Sequence, residues 1–183
     1  MSTATVISPE EFLAIADQEE AILEYDDGLV QEASDSSVRH GAVQTMIGHE
    51  VILWSKASGA DIVASCNPGF WLTGKVLRKP DLAIIRPDVL ALMPPYRGHV
   101  LGCPEIAVEV ISDNESVGRI ERKTRQYLES GAIAVWNIYP ESQIVVVWRQ
   151  RGAPYVASRT GFLEGPELLP GLRIPVAGLF TGR

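Results

Sequence analysis

Apolar and polar positions follow recognisable periods along the chain, and each period predicts an element. Ser8-Pro9-Glu10-Glu11 supplies a capping serine, a first-turn proline and the glutamate of a capping box. Phe12, Leu13, Ile15 and Ala16 follow as one apolar stripe, which predicts a short helix over 9–19. The stretch Ala21 to Val30 reads as a strand, the turn signal Asp27-Gly28 and a second strand, hence an antiparallel hairpin. Ser36 or Ser37 can cap a long helix that stops at Gly59. At 3.6 residues per turn, Val43, Met46, Ile47, Val51 and Trp54 form its buried face, with His40 at the edge. Glu50 falls inside that stripe and is expected to be paired or part of a site, because burying a lone carboxylate is costly.

Short β-type runs come next, at Ile62 to Ser65, Phe70 to Thr73, Asp81 to Ile85 and Glu105 to Ile111. A helix from about Ser116 to Ser130 ends at Gly131, and two strands, Ile133 to Tyr139 and Ile144 to Trp148, flank the turn Pro140-Glu141-Ser142. Strand, helix, strand and hairpin in that order make the helix a crossover in a mixed sheet, so the fold class is α/β. Leu169-Pro170-Gly171-Leu172 and Pro175 mark short strands and turns in the tail.

Composition narrows the class without changing the elements. At 183 residues with 46% hydrophobic and 21% charged side chains, the chain suits one globular domain over 1–183 rather than a disordered or fibrous protein. Glu109 or Asn137 interrupts the longest apolar stretches well before the roughly 18 positions of a spanning helix, so no membrane is expected. No Lys or Arg precedes Arg39, which is unlike a secretory or transit segment and predicts a cytoplasmic protein. Cys66 and Cys103 have no metal-site spacing and read as reduced core thiols. Net charge is −7, but it is divided: residues 1–55 hold one basic against eleven acidic side chains, and 56–183 hold fifteen against twelve. A local basic face remains available in the second part.

Two acids stand where strands should be apolar. Asp81 opens a strand after Pro80, and Glu109 interrupts Ile106-Ala107-Val108-Glu109-Val110-Ile111. A buried carboxylate needs a partner, either a nearby arginine or a divalent cation shared by two acids. In the following helix, Val117, Ile120, Thr124, Tyr127 and Leu128 define the apolar face, and Lys123 lies about 60° from Ile120. Lys123 is thus the basic residue placed to lean toward Glu109, or else a lysine whose stem covers apolar surface.

Pro80-Asp81, Glu109-Val110-Ile111-Ser112, and Lys123 with Tyr127 and Gly131 form an order of motifs that resembles the PD-(D/E)XK nuclease superfamily. Within it the chain is similar to the Uma-type restriction endonuclease family, from the N-terminal helix through Glu24-Tyr25-Asp26-Asp27-Gly28 and His40 to Leu169-Pro170-Gly171-Leu172. The resemblance implies a restriction-endonuclease-like core with a central mixed β-sheet flanked by helices, the helix and hairpin of 8–32 packing on a nuclease core of 36–183. It also implies that Asp81 and Glu109, with the Val110 carbonyl, hold Mg²⁺ or Mn²⁺, and that Lys123 is the catalytic lysine. Glu24, His40 and Tyr127 would support the metal shell, the phosphate or Lys123, and Arg119 and Arg122 are candidate phosphate contacts. The chain departs from the superfamily's common pattern at Ile111, where the usual lysine is missing and the family's substitute is a lysine from the following helix, and from the family pattern at Arg119 and Tyr139, where acids are usual.

The function so implied is metal-dependent hydrolysis of phosphodiester bonds in DNA by a homodimer. The alternative is a catalytically silent nuclease fold serving as a nucleic-acid-binding or assembly module. A small-molecule hydrolase ranks last, since no G-x-S-x-G, H-E-x-x-H or phosphate-binding glycine loop occurs. Restriction is the family's label, and nothing in these residues demonstrates it.

Overall fold

The computed structural model describes residues 6–19, 22–32, 37–96 and 98–180. Ser36 and Ala21, named above as a cap and a strand start, lie outside them. Helix α1 (Pro9–Ala16) starts with the predicted capping box: Ser8 Oγ accepts the Glu11 N–H at 3.2 Å, and Glu11 Oε2 accepts the Ser8 N–H at 2.7 Å. It stops three residues short of expectation because nothing beyond Ala16 is apolar enough to be buried. The hairpin of β1 (Leu23–Asp26) and β2 (Leu29–Glu32) turns at Asp27 and Gly28, both with positive φ (50° and 94°), as a two-residue hairpin loop requires. Ser37 caps α2 (Val38–Ser58), and Gly59, at φ 72°, ends it.

The remaining elements are β3 (Val63–Cys66), β4 (Phe70–Thr73), β5 (Val76–Arg78), β6 (Leu82–Ile85), α3 (Pro87–Leu92), β7 (Pro95–Tyr96), β8 (His99–Leu101), β9 (Ile106–Val110) and α4 (Val117–Glu129), then β10 (Ala134–Tyr139), β11 (Ile144–Arg149), β12 (Tyr155–Ala157), β13 (Phe162–Glu164), β14 (Arg173–Pro175) and α5 (Val176–Leu179). They form two six-stranded sheets, ordered β2-β1-β5-β4-β8-β7 and β12-β11-β10-β9-β6-β3, and a β13-β14 pair. Both large sheets are mixed. The second has one parallel pair, β9 and β10, joined by α4 as the sequence predicts. The first has one as well, β4 beside β8. The N-terminal hairpin is the edge of a full sheet, because β1 pairs with β5.

Alternation along β9 sorts the core. Ile106, Val108 and Val110 join α2's Val43, Ile47 and Val51 in the main apolar cluster, whereas Ala107 packs with Tyr127 of α4 and Val135. The buried arc of α2 runs through His40, Val43, Gln44, Ile47, Gly48, Val51 and Ser55. That arc is rotated from the expected stripe, so Glu50 lies at its margin, half-buried, and escapes the desolvation that would have demanded a partner. The thiols also differ from expectation. Cys66, at the end of edge strand β3, is exposed, and Cys103 is half-buried, its thiol pushed up to about 12 by burial. No described helix is long and apolar enough to cross a membrane.

Candidate active site

Three elements converge at the ends of β6 and β9. Asp81 immediately precedes β6, and the antiparallel register that sets Leu82 opposite Val108 brings its carboxylate to the end of β9. There Asp81 Oδ2 accepts the Val110 N–H at 2.6 Å. Gln44 of α2 donates its side-chain amide to the Asp81 carbonyl, which also accepts the Asn67 N–H at 3.2 Å. His40 Nε2 lies 2.9 Å from Asp81 Oδ1, but without hydrogen-bond alignment. The acid is therefore fixed by its backbone on one side and by β9 on the other.

Glu109 points to the face of β9 covered by α4, the face of Ala107. Both its oxygens are engaged: Lys123 Nζ donates to Oε2 at 2.7 Å, and the Tyr127 hydroxyl donates to Oε1 at 2.9 Å. The helical phase of Lys123 thus brings it to Glu109, and its ammonium is buried. Thr124 anchors the same turn of α4 by accepting the Asn137 side-chain amide at 3.0 Å, and Asn137 is Glu109's parallel partner in β10. Burial pushes the Glu109 carboxyl up to about 8; Lys123 opposes this, and the charges of Asp81 and Glu24 add to it. Burial works against the charge on Lys123, but the Glu109 and Glu24 carboxylates together hold its pKa above the ordinary lysine value.

Glu24 and Asp26 sit two apart on β1, so alternation puts both on one face, away from the Leu23, Tyr25, Phe12 and Trp71 cluster. Both are buried. Glu24 Oε1 accepts the Lys79 N–H at 3.0 Å and lies 3.4 Å from Lys123 Nζ, so two carboxylates share one lysine. Arg78, 1% exposed, bridges Glu24 and Asp26 and donates twice to Gln126 Oε1 of α4, at 2.9 and 2.7 Å. Arg122 grips Asp26 with a hydrogen bond from Nη2 to Oδ1 at 2.8 Å and an ion-pair contact of 2.7 Å between Nε and Oδ2. Arg119 lies 3.5 Å from Glu24 and 3.6 Å from Glu115, and donates to the Glu32 carbonyl at 3.1 Å. The guanidinium groups of Arg119 and Arg122 are thereby drawn into ion pairs with the hairpin and with Glu115, just ahead of α4. Burial would raise the carboxyl of Glu24, but Lys123, Arg78 and Arg119 outweigh it and the pKa is lowered.

Sequence reasoning missed Arg78, Asp26 and Gln126. The alternation of Glu24 and Asp26 was a usable signal, since two acids on one face of a strand require a cation. Arg78 itself gave none, because β5 is only three residues long.

The donor set suits a hard cation that keeps much of its water. Among the described residues no group of three or more His, Cys, Asp and Glu side chains is arranged to enclose a metal. Magnesium, however, is commonly held by one or two carboxylates plus water and substrate phosphate. The charge of Asp81 adds to the cost of ionising Glu109, and beside them the buried Nε2 of His40 has no hydrogen-bond partner. A cation would relieve the first and satisfy the second.

The Uma2 family model, described as "Putative restriction endonuclease", matches residues 9–177, from the first residue of α1 into α5. The chain belongs to the Uma2 family. Among solved structures, the crystal structure of "a putative nuclease belonging to DUF820" from Anabaena variabilis is similar, with a TM-score of 0.79 and 20% sequence identity over 96% of this chain and 98% of that one. At that identity the likeness establishes the shared fold. No curated protein matches the chain. Membership of Uma2 and the nuclease-like fold together support a nuclease.

Proposed function

We propose that this Uma2 protein is a divalent-metal-dependent DNA endonuclease that hydrolyses phosphodiester bonds. The observation that carries the reading is the convergence of Asp81 and Glu109, from neighbouring strands, with Lys123 Nζ 2.7 Å from Glu109 although the lysine comes from α4. In this reading Asp81, Glu109 and the Val110 carbonyl hold Mg²⁺ or Mn²⁺. The ion, when bound, neutralises phosphate charge and lowers the pKa of an attacking water. Lys123 is the catalytic lysine: its remaining N–H groups orient that water or donate to a non-bridging phosphate oxygen as negative charge develops. Tyr127 fixes the rotamer of Glu109, Glu24 shares the charge of Lys123, and His40 supports Asp81. Arg119 and Arg122 brace the acids of β1, and a phosphate contact by either would compete with that bracing. A homodimer would present two such sites to two strands. A cytoplasmic setting keeps the exposed Cys66 reduced.

One observation favours the second reading, a silent binding or assembly module. Both Glu109 oxygens are already engaged, by Lys123 and Tyr127, so the site is self-satisfied without an ion. The deciding experiment is cleavage of supercoiled plasmid and single-stranded DNA with Mg²⁺ or Mn²⁺ at low salt, comparing the parent with Asp81→Ala, Glu109→Ala and Lys123→Ala. Metal-dependent cutting by the parent, lost in all three variants, is expected. Equal trace cutting by all four proteins would reject the nuclease in favour of the binding module.

A further inference from the structure

In the nuclease reading an ion takes a Glu109 carboxylate that Lys123 already holds. The Tyr127 hydroxyl is no obstacle, because a carboxylate oxygen with one hydrogen bond keeps a lone pair for a cation. The Lys123 ammonium, 2.7 Å from Oε2, is one, since it repels an ion placed on the same carboxylate. Lys123 is 7% exposed and cannot retire into water, so it can give up Glu109 only to another buried acid.

Glu24 meets that need. Its Oε1 lies 3.4 Å from Lys123 Nζ, longer than a good hydrogen bond, and a shift of Nζ shorter than a covalent bond would close the gap. Glu24 is also fixed without help from β9. Its Oε1 accepts the Lys79 N–H at 3.0 Å, and its Oε2 faces Arg78 at 3.3 Å and Arg119 at 3.5 Å. Arg78 is held in turn by Gln126 of α4. Nor is Glu24 placed as a ligand. It belongs to β1, in the other sheet from β6 and β9, and among the described residues no three acids are arranged to enclose an ion.

We propose that Glu24 is a positioning residue that receives Lys123 when a cation takes Glu109, with Arg78 holding Glu24 in place. This rests on the nuclease reading and deepens it: the pairing of Lys123 with Glu109 is the resting state of the metal site rather than a substitute for the metal. The lysine keeps a buried counter-charge throughout, and Glu109 gains a free oxygen. Glu24 itself touches neither the ion nor the substrate.

The test is a calorimetric titration of the full chain with Mn²⁺ in the absence of DNA, each variant being checked for folding by circular dichroism. Parent, Glu24→Gln, Glu24→Asp, Lys123→Met and the double variant of Glu24→Gln with Lys123→Met are compared. Glu24→Asp keeps the charge and shortens the reach, which separates position from field. Both Glu24 variants should bind Mn²⁺ about tenfold or more weakly than the parent, the usual effect of losing a residue that orients a metal ligand. Lys123→Met should bind at least as tightly as the parent, and Glu24→Gln should add no loss in that background, because it acts through Lys123. In crystals of the parent soaked with Mn²⁺, Lys123 Nζ should lie nearer to Glu24 Oε1 than to either oxygen of Glu109. Parent-like affinity in Glu24→Asp overturns the inference in favour of a general field effect. So does an undiminished loss from Glu24→Gln in the Lys123→Met background, which would make Glu24 a ligand of the ion. Should Glu24→Gln fail to fold, Glu24→Asp, which leaves Arg78 and Arg119 a carboxylate, and the Mn²⁺-soaked parent decide alone. If the parent binds Mn²⁺ and cuts plasmid while the Glu24 variants bind Mn²⁺ equally well, only this inference falls. If the parent binds no Mn²⁺, the metal-dependent nuclease reading falls and takes the inference with it.

Discussion

Glu109 is where stability and function pull apart. Its carboxyl, pushed up to about 8 by burial and by the charges of Asp81 and Glu24, holds a proton in the folded chain that the unfolded chain releases near the ordinary value of 4.5. The folded state therefore binds more protons across that window, and stability must fall as pH rises from about 4.5 to about 8. Glu109→Gln removes the titration while keeping a group that can accept from Tyr127 and Lys123. In metal-free urea denaturation, the variant should lose the downward trend of the parent over that pH range and equal or exceed the parent in stability at pH 8. It should also lose metal-dependent cleavage. A parent curve that rises through the window would show that Glu109 is ionised throughout. Lys123 was legible at this scale because helical phase is a local property: its distance from Ile120 along the helix placed it at the buried edge. Arg78 was not, since the demand for it comes from Glu24 and Asp26, more than fifty positions earlier.

Among the elements, α4 carries the most. Its cap at Ser116 and its stop at Ser130 and Gly131 could be read from the sequence, as could the crossover it makes between β9 and β10. One side of this helix delivers Lys123 and Tyr127 to Glu109, while Arg119, Arg122 and Gln126 bind β1 and its neighbours. The joint between α4 and β1 runs through Arg78, so Arg78→Met should be far more damaging than its volume change suggests. It leaves Glu24 and Asp26 buried with reduced compensation, a loss of about 3–5 kcal/mol by chemical denaturation. Arg122→Ala, on a half-exposed side chain whose acid still has Arg78 and Gln126, should cost much less. Equal losses in the two variants would mean that the web acts as a surface network. The elements that escaped sequence reading, β5, β7, β8 and α3 among them, are two to six residues long, too short to show a period of their own. Without them the hairpin looked like an appendage, although β1's pairing with β5 makes it the edge of a second sheet.

Across the whole molecule, the uneven charge of the sequence becomes a means of holding its halves together. The first 55 residues are strongly acidic, and two of their acids, Glu24 and Asp26, end buried against Arg78, Arg119, Arg122 and Lys123 from the second part. Burial alone would raise both carboxyls; in Asp26 the bond to Arg122 and the charge of Arg78 overcome it, and in Glu24 Lys123 and Arg78 do. Their lowered pKa values mean that the unfolded chain takes up protons first as pH falls. The stability these groups contribute is fully present above the ordinary carboxylate range and is lost as pH drops through and below it. Since these acids join β1 to α4, acid should not peel the hairpin from an intact remainder. Fluorescence of Trp71, in the α1–β1 cluster, taken as the difference between the parent and a Trp71→Phe variant because the chain has four tryptophans, and far-ultraviolet circular dichroism of the whole chain should report one coincident acid transition, as expected of a single domain over 1–183. Added salt should move its midpoint little, because the pairs concerned are buried and weakly screened. Two separated transitions would instead divide the chain into a hairpin unit of 8–32 and a core of 36–183 that fold apart, and would leave Lys123 with Glu109 as its remaining carboxylate partner once the first had unfolded.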